Sequence, residues 1–180
     1  MVRTVCDMTS HTDTSTTDLS DEHQDLLGTL ALHRHFLVTT ADGLDERQAR
    51  LTPTASSLSV GGIIKHVAAT EGEWLSFVLN GAPGYETATD HRPEGFVLQA
   101  DETLAGVLAD YEAVAARTAE VVGAAPDLNA SQLLPEAPWF PPGAAWSVRR
   151  VMLHLIAETA QHAGHADIIR ESIDGAKTMG

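Results

Sequence analysis

The stretch HLIAETAQHAGHADIIRE, residues 154–171, has ionisable side chains on what should be the buried face of a helix. At about 100° per residue, a helix places Glu158, His162 and His165 within an arc of about 60°. Ile169 falls in the same arc, so we expect this stripe to face the core of a helical domain. A carboxylate is rarely buried without a partner. The stretch therefore predicts a long helix whose polar side chains converge on something inside the protein.

Three further segments have the periodicity of amphipathic helices, and none shows sustained strand alternation. The four predicted helices run over about 20–40, 57 or 59 to 79, 101–122, and 146 or 147 to 172. Two long loops connect the later helices, at 81–99 and 127–145. The second loop has four prolines, which oppose regular structure. The pattern predicts an all-α fold, a four-helix bundle with two long connecting loops.

Length and composition bound the domain organisation. A chain of 180 residues with 43% hydrophobic and 20% charged residues fits one globular domain. Residues 1–17 are rich in Thr, Ser and Asp, and we expect a disordered tail there, followed by a bundle domain over 18–180.

The charge and the cysteine content narrow the partners and the compartment. The net charge of −14 repels phosphate backbones, so we expect no nucleic-acid partner. No apolar run approaches the ~20 residues of a membrane span, and the N-terminus lacks the apolar segment of a secretory signal. The single cysteine, Cys6, cannot form an internal disulfide, which favours a cytoplasmic location.

A divalent metal is the partner that best explains the buried polar stripe. Glu158 and His162 are four residues apart, so a helix directs both donor atoms toward one point. His66 lies on the apolar face of the second predicted helix and can supply a third ligand. Three ligands of this kind leave positions open, as in catalytic sites, and are compatible with zinc, nickel, manganese or iron. The simpler interpretation of each histidine alone is a hydrogen-bonded core residue.

The remaining polar and aromatic candidates have more than one interpretation. His165 can act as a fourth ligand, or it can orient the site and move a proton. His154 is interpreted as structural. Glu73 can hold the His66 ring or form a solvated or salt-bridged pair. Trp139 and Phe140, in the proline-rich loop, are expected to form apolar walls of a substrate or thiol site.

Three motifs resemble the DinB-like superfamily, and its DUF664 (DinB_2) branch in particular. They are LTPT at 51–54, IIKHVAATEGEW at 63–74, and WSVRRVMLHLIAETAQHAGHADIIRESIDG at 146–175. The resemblance implies a bundle of up-down-down-up topology, often dimeric, with a metal held by three side chains. His66 and His162 match two ligand positions. Glu158 stands where many relatives have His and where the related N-terminal domain of mycothiol-dependent maleylpyruvate isomerase has Glu.

The resemblance implies an enzyme that uses a low-molecular-weight thiol. The leading hypothesis is a metal-dependent S-transferase or isomerase, with mycothiol as the thiol, His165 as a proton-moving residue and a homodimeric assembly. Metal-activated hydrolysis is an alternative, with His165 as its general base. A non-catalytic, stress-related protein that binds a metal or ligand is the third hypothesis.

Overall fold

Five helices and one short hairpin make up the structure, a computed structural model that describes residues 20–89 and 95–178. The predicted disordered tail at 1–17 lies outside the described residues. The elements are α1 (Asp21–Thr39), α2 (Val60–Asn80), α3 (Ala82–Thr89), α4 (Leu104–Gly123), β1 (Ser131–Leu133), β2 (Ala145–Ser147) and α5 (Val148–Asp174), with a 3-10 turn at Gln48–Arg50. The four long helices confirm the all-α prediction.

Each long helix begins at a hydroxyl side chain that caps it. Ser20, Ser59, Thr103 and Ser147 each accept a hydrogen bond from the backbone N–H three residues further on. Such caps satisfy one of the free amides at a helix start and stabilise the helix by about 1 kcal/mol. The helix boundaries therefore follow from local chemistry, which is why the sequence predicts them to within a few residues.

Contacts between helix ends define the topology. Arg149, at the start of α5, pairs with Glu22 at the start of α1, while Arg170 donates to the Thr40 carbonyl beyond the end of α1. Helices α1 and α5 are therefore parallel. Lys65, early in α2, bonds Glu102, just before α4, so α2 and α4 are parallel as well. The N-terminal end of α2 packs against the C-terminal ends of α1 and α5. This arrangement is the up-down-down-up bundle.

A buried ion pair lies inside the bundle. The guanidinium of Arg34, on α1, donates two hydrogen bonds to the carboxylate of Glu71 on α2. Glu71 is 1% exposed and also accepts a hydrogen bond of 2.6 Å from Thr118 Oγ1 on α4. The carboxylate thus joins three helices through charge-assisted contacts that compensate its burial.

The two connecting segments contain more regular structure than the sequence predicts. Gly81 ends α2 at a φ of 67°, and α3 begins immediately after it. Pro83 falls in the first turn of α3, where its missing N–H costs little. In the second connection β1 and β2 pair antiparallel, with Leu133 opposite Ala145. The four prolines all lie between the strands, where the chain has no regular structure.

Among the described residues, no helix combines the length and apolar character that a membrane crossing needs.

Candidate metal centre

Three side chains predicted as ligands come together between α2 and α5. His66, Glu158 and His162 each offer one donor atom, and the three atoms lie within 4.8 Å of one another. His162 Nε2 is 3.6 Å from Glu158 Oε2, as expected for residues one helical turn apart. The rings of His66 and His162 are 5.0 Å apart at 70°. Packing of α2 on α5 supplies the third donor, which the sequence of α5 cannot provide.

The donor set fits a divalent cation. Around a tetrahedral zinc with bonds of about 2.0–2.1 Å, two ligand atoms lie about 3.3 Å apart, so small side-chain shifts suffice here. The Nδ1 atom of His162 is buried and has no hydrogen-bond partner among the described residues. A buried nitrogen without a partner is costly, and coordination through Nδ1 itself would remove that cost. His66 and His162 with Glu158 would therefore hold the ion and leave positions open for water or a thiol.

Burial favours the neutral form of two histidines on α5. Removal from water lowers the pKa of His162; the Glu158 carboxylate opposes this shift, and His165 adds to it. Burial likewise lowers the pKa of His154, again opposed by Glu158. Neutral imidazole is the form that binds metals, so the surroundings prepare His162 for coordination near neutral pH.

Phe96 closes one side of the centre, and sequence reasoning missed it. Its ring stacks on His66 with centroids 3.7 Å apart at 21°, and it lies 5.8 Å from the His162 ring. Phe96 follows the undescribed residues 90–94 in an irregular segment, so no helical periodicity marks it. The ring therefore covers one face of His66 and contacts His162 at an angle.

The segment that carries Phe96 is fixed on the start of α2. A Cβ atom added to Gly62 would lie 1.9 Å from the carbonyl oxygen of Phe96, so only glycine permits this approach. Arg50 donates hydrogen bonds to the carbonyls of Leu98, Gln99 and Glu102. These contacts hold the segment in a single position against the two imidazoles.

A cavity of about 200 Å³ opens beside the centre. Its walls are aromatic and polar side chains from α2, α3, α5 and the proline-rich loop: His66, Thr70, Trp74, Tyr85, Trp139, Phe140, Trp146, His154 and Glu158. A larger hollow of about 510 Å³ lies within the proline-rich loop itself and shares Phe140 with the first. Among the described residues, Glu136 is its only charged lining residue, and none of the candidate ligands lines it. Of the two cavities, the smaller one is therefore the one lined by candidate ligand residues, His66 and Glu158.

The comparison with protein families agrees with this arrangement. A family model described as mycothiol-S-transferase matches residues 25–175. The chain belongs to the mycothiol-S-transferase family. A search of the curated proteins found no match. The family is DinB-like, so the match confirms the resemblance inferred from the motifs. The family's description names transfer of a thiol.

The other predicted site residues occupy different positions in this mycothiol-S-transferase family member. Trp139 and Phe140 both line the cavity, and Trp139 is 71% exposed. His165 is exposed, so its predicted place on the buried stripe is wrong, because the buried positions around it, Ala163, Ala166 and Ile169, all lie to one side of it around the helix. Its ring still lies 5.7 Å from that of His162. Glu73 is buried at 3% exposure, which excludes the solvated interpretation.

His154 was interpreted from the sequence as structural, but it lies next to Glu158, one of the three candidate metal ligands. Its Nε2 is 3.8 Å from Glu158 Oε1, while His162 is near the other carboxylate oxygen. The ring is edge-on to Trp74 and Trp146, at 5.0 and 5.1 Å. The spacing of four residues on either side of Glu158 was the available signal for its position.

Proposed function

We propose that this family member is a metal-dependent S-transferase that uses mycothiol as its thiol. The observation that carries the proposal is the convergence of His66, Glu158 and His162 beside an aromatic cavity in a chain of this family. The three side chains would hold one divalent ion, with zinc as the leading candidate and nickel, manganese or iron as alternatives. The family match favours transfer over the isomerase reaction.

The bound ion would supply one kind of chemistry, a lowered pKa of the thiol and hence a nucleophilic sulfur near neutral pH. The protein's own residues do the rest. Glu158 reduces the net charge of the centre from two to one, which limits its attraction for other anions. Phe96 covers one face of His66 and keeps water from that approach. The cavity wall holds the acceptor on the open side.

The transfer step follows from these positions. The thiol proton passes to solvent, and the sulfur electron pair forms a bond to an electrophilic carbon of the acceptor. The bond from that carbon to its leaving group breaks, and the leaving group takes the electron pair. His165 is proposed as the proton relay, because its exposed ring can exchange protons with water and lies beside His162.

Assembly and location complete the proposal. The DinB-like resemblance supports a homodimer, and a single cysteine outside the described residues supports a cytoplasmic location.

Removal of one ligand tests the metal centre. We expect His162→Ala to lose zinc binding by at least tenfold while the helical circular dichroism stays close to that of the parent. His35→Ala, at an exposed position on α1, is the control and should bind zinc normally. Elemental analysis and zinc titration measure both variants. Equal zinc binding by His162→Ala and the parent would remove the basis of the proposal.

The thiol is tested separately. Zinc-loaded protein should bind mycothiol in calorimetry and should form a thioether with a reactive alkyl halide. His165→Gln should slow that transfer without changing zinc affinity. If zinc-loaded protein shows no affinity for mycothiol, the transferase proposal is wrong whatever the metal content.

A further inference from the structure

We propose that the cavity beside the metal centre binds an uncharged aromatic ring of the acceptor substrate. The inference rests on the proposed function, since it names the acceptor class for the same transfer. Five aromatic residues carry it, which we call the aromatic wall: Trp74, Tyr85, Trp139, Phe140 and Trp146. The wall joins α2, α3, the proline-rich loop and β2, so the tertiary fold assembles it from four separate parts of the chain.

Most of the aromatic wall is held rigidly. Trp74 and Trp146 stack with centroids 4.5 Å apart at 14°. The Arg150 guanidinium lies 4.2 Å from the centre of the Trp146 ring. Because Trp74 stacks on one face of Trp146, the guanidinium must lie on the other face. Phe140 meets Trp146 edge-on at 5.9 Å. Rings fixed in this way present edges and faces to a ligand without a large entropic cost of ordering.

Trp139 is the most exposed member of the wall. It lines the cavity and is 71% exposed, although its neighbour Phe140 is half-buried. A large exposed aromatic side chain beside a cavity is typical of a ligand-binding position. A ring bound in the cavity would cover this exposed surface, and the removal of apolar surface from water would favour binding.

The charges of the described residues around the cavity disfavour an anionic ring. Among the described lining residues Glu158 is the only carboxylate, and none is a lysine or an arginine. Arg150 is directed to the outer face of Trp146 rather than to the cavity. An anionic substituent on the ring would therefore lose its water without gaining a cationic partner away from the metal position.

The size of the cavity sets the size of the ring. An apolar cavity of about 150 Å³ is enough for benzene. The cavity here, about 200 Å³, therefore accommodates one ring with a short substituent. Because His66 and Glu158 line the same cavity, the substituent lies next to the metal position. The acceptor class is thus a neutral aryl compound whose electrophilic carbon, bearing a leaving group, is one bond from the ring.

The tryptophans provide a direct assay. The chain has three tryptophans, and all three belong to the aromatic wall, so every indole N–H resonance in a ¹⁵N spectrum reports on it. Zinc-loaded full-length protein is titrated with benzyl alcohol, cyclohexylmethanol, benzoate and inositol. We expect benzyl alcohol to shift the indole resonances at lower concentration than its saturated analogue or benzoate, and inositol to leave them unchanged.

Variants locate the binding. Trp139→Ala should raise the Kd of benzyl alcohol about twofold to tenfold. Leu133→Ala, exposed in β1 and absent from the cavity, is the control and should not change it. Binding of benzyl alcohol with loss in Trp139→Ala supports the inference even if no thiol is ever transferred. If inositol binds as tightly as benzyl alcohol, or if benzyl alcohol does not bind, the inference is overturned even where transfer activity is found.

Discussion

Replacement of Gly62 by alanine tests the link between the start of α2 and the metal centre. The added Cβ would lie 1.9 Å from the Phe96 carbonyl oxygen, whereas an unstrained contact needs about 3.4 Å. The obstacle is backbone, so the whole segment that carries Phe96 must retreat by about 1.5 Å. That movement withdraws the Phe96 ring from its stack on His66.

The expected loss of stability follows from these distances. Overpacking of this kind destabilises a protein by about 1–3 kcal/mol. Gly72→Ala is the matched control, on the same helix, because its new Cβ meets only Val114 Cγ2 at 4.0 Å. That change should stabilise α2 by up to about 1 kcal/mol through helix propensity. The two variants should thus differ by about 1–4 kcal/mol in the free energy of unfolding.

Urea unfolding of both variants, followed by circular dichroism, measures the difference. Thermal unfolding should show it as well, at about 2–4 °C for each kcal/mol in a domain of this size. A zinc titration gives the second readout, and we expect Gly62→Ala to bind zinc more weakly than Gly72→Ala. The reasoning is refuted if Gly62→Ala is as stable as Gly72→Ala and binds zinc equally well.

Two further predictions concern the buried polar groups. Arg34→Met leaves the Glu71 carboxylate buried without its cation, so it should lower the free energy of unfolding, measured in urea, by about 3–5 kcal/mol. The control is Arg117→Met, which removes a surface pair whose members are both more than half exposed. This control should change the free energy of unfolding by no more than about 0.5 kcal/mol. Burial raises the pKa of both tyrosines of the chain, and Glu158 adds to the shift at Tyr85 while Glu71 adds to it at Tyr111. Each folded-state pKa lies above the unfolded value of about 10. The contribution of the two tyrosines to the free energy of unfolding is therefore complete below about pH 10, and it is lost as the pH rises through the folded pKa values. In a spectrophotometric titration tyrosinate should therefore appear only well above pH 10, and two tyrosines that titrate normally in the folded protein would contradict the prediction.

The helical bundle was predictable from the sequence, and so was the proximity of Glu158 and His162, because both depend on residues close together in the chain. Hydroxyl caps and apolar periodicity define the helix boundaries, and the four-residue spacing of Glu158 and His162 brings their donor atoms near each other on any α-helix. The apolar surroundings of His66 made it a candidate for the third ligand. The structure brings it to the same point, and occupancy by a metal is the proposal that follows.

Other parts of the site depend on residues that are far apart in the chain. Helical geometry put His165 in the same arc as Glu158 and His162, but how far the covered face extends around α5 depends on how the other helices pack, and His165 is exposed. The strands β1 and β2 have three residues each, too few for alternation to be recognised. In the sequence, Trp74 and Tyr85 are ordinary apolar residues of two separate segments. In the structure their rings are in contact.

The sequence by itself determined the helices and the polar stripe on α5, because each depends on residues within one or two turns of each other. Tertiary structure alone decided that Phe96 covers one face of His66 and that five aromatic residues form one wall. Those contacts join segments separated by tens of residues, and their positions depend on backbone approaches such as that of Phe96 to Gly62, for which a single sequence has no periodic signal.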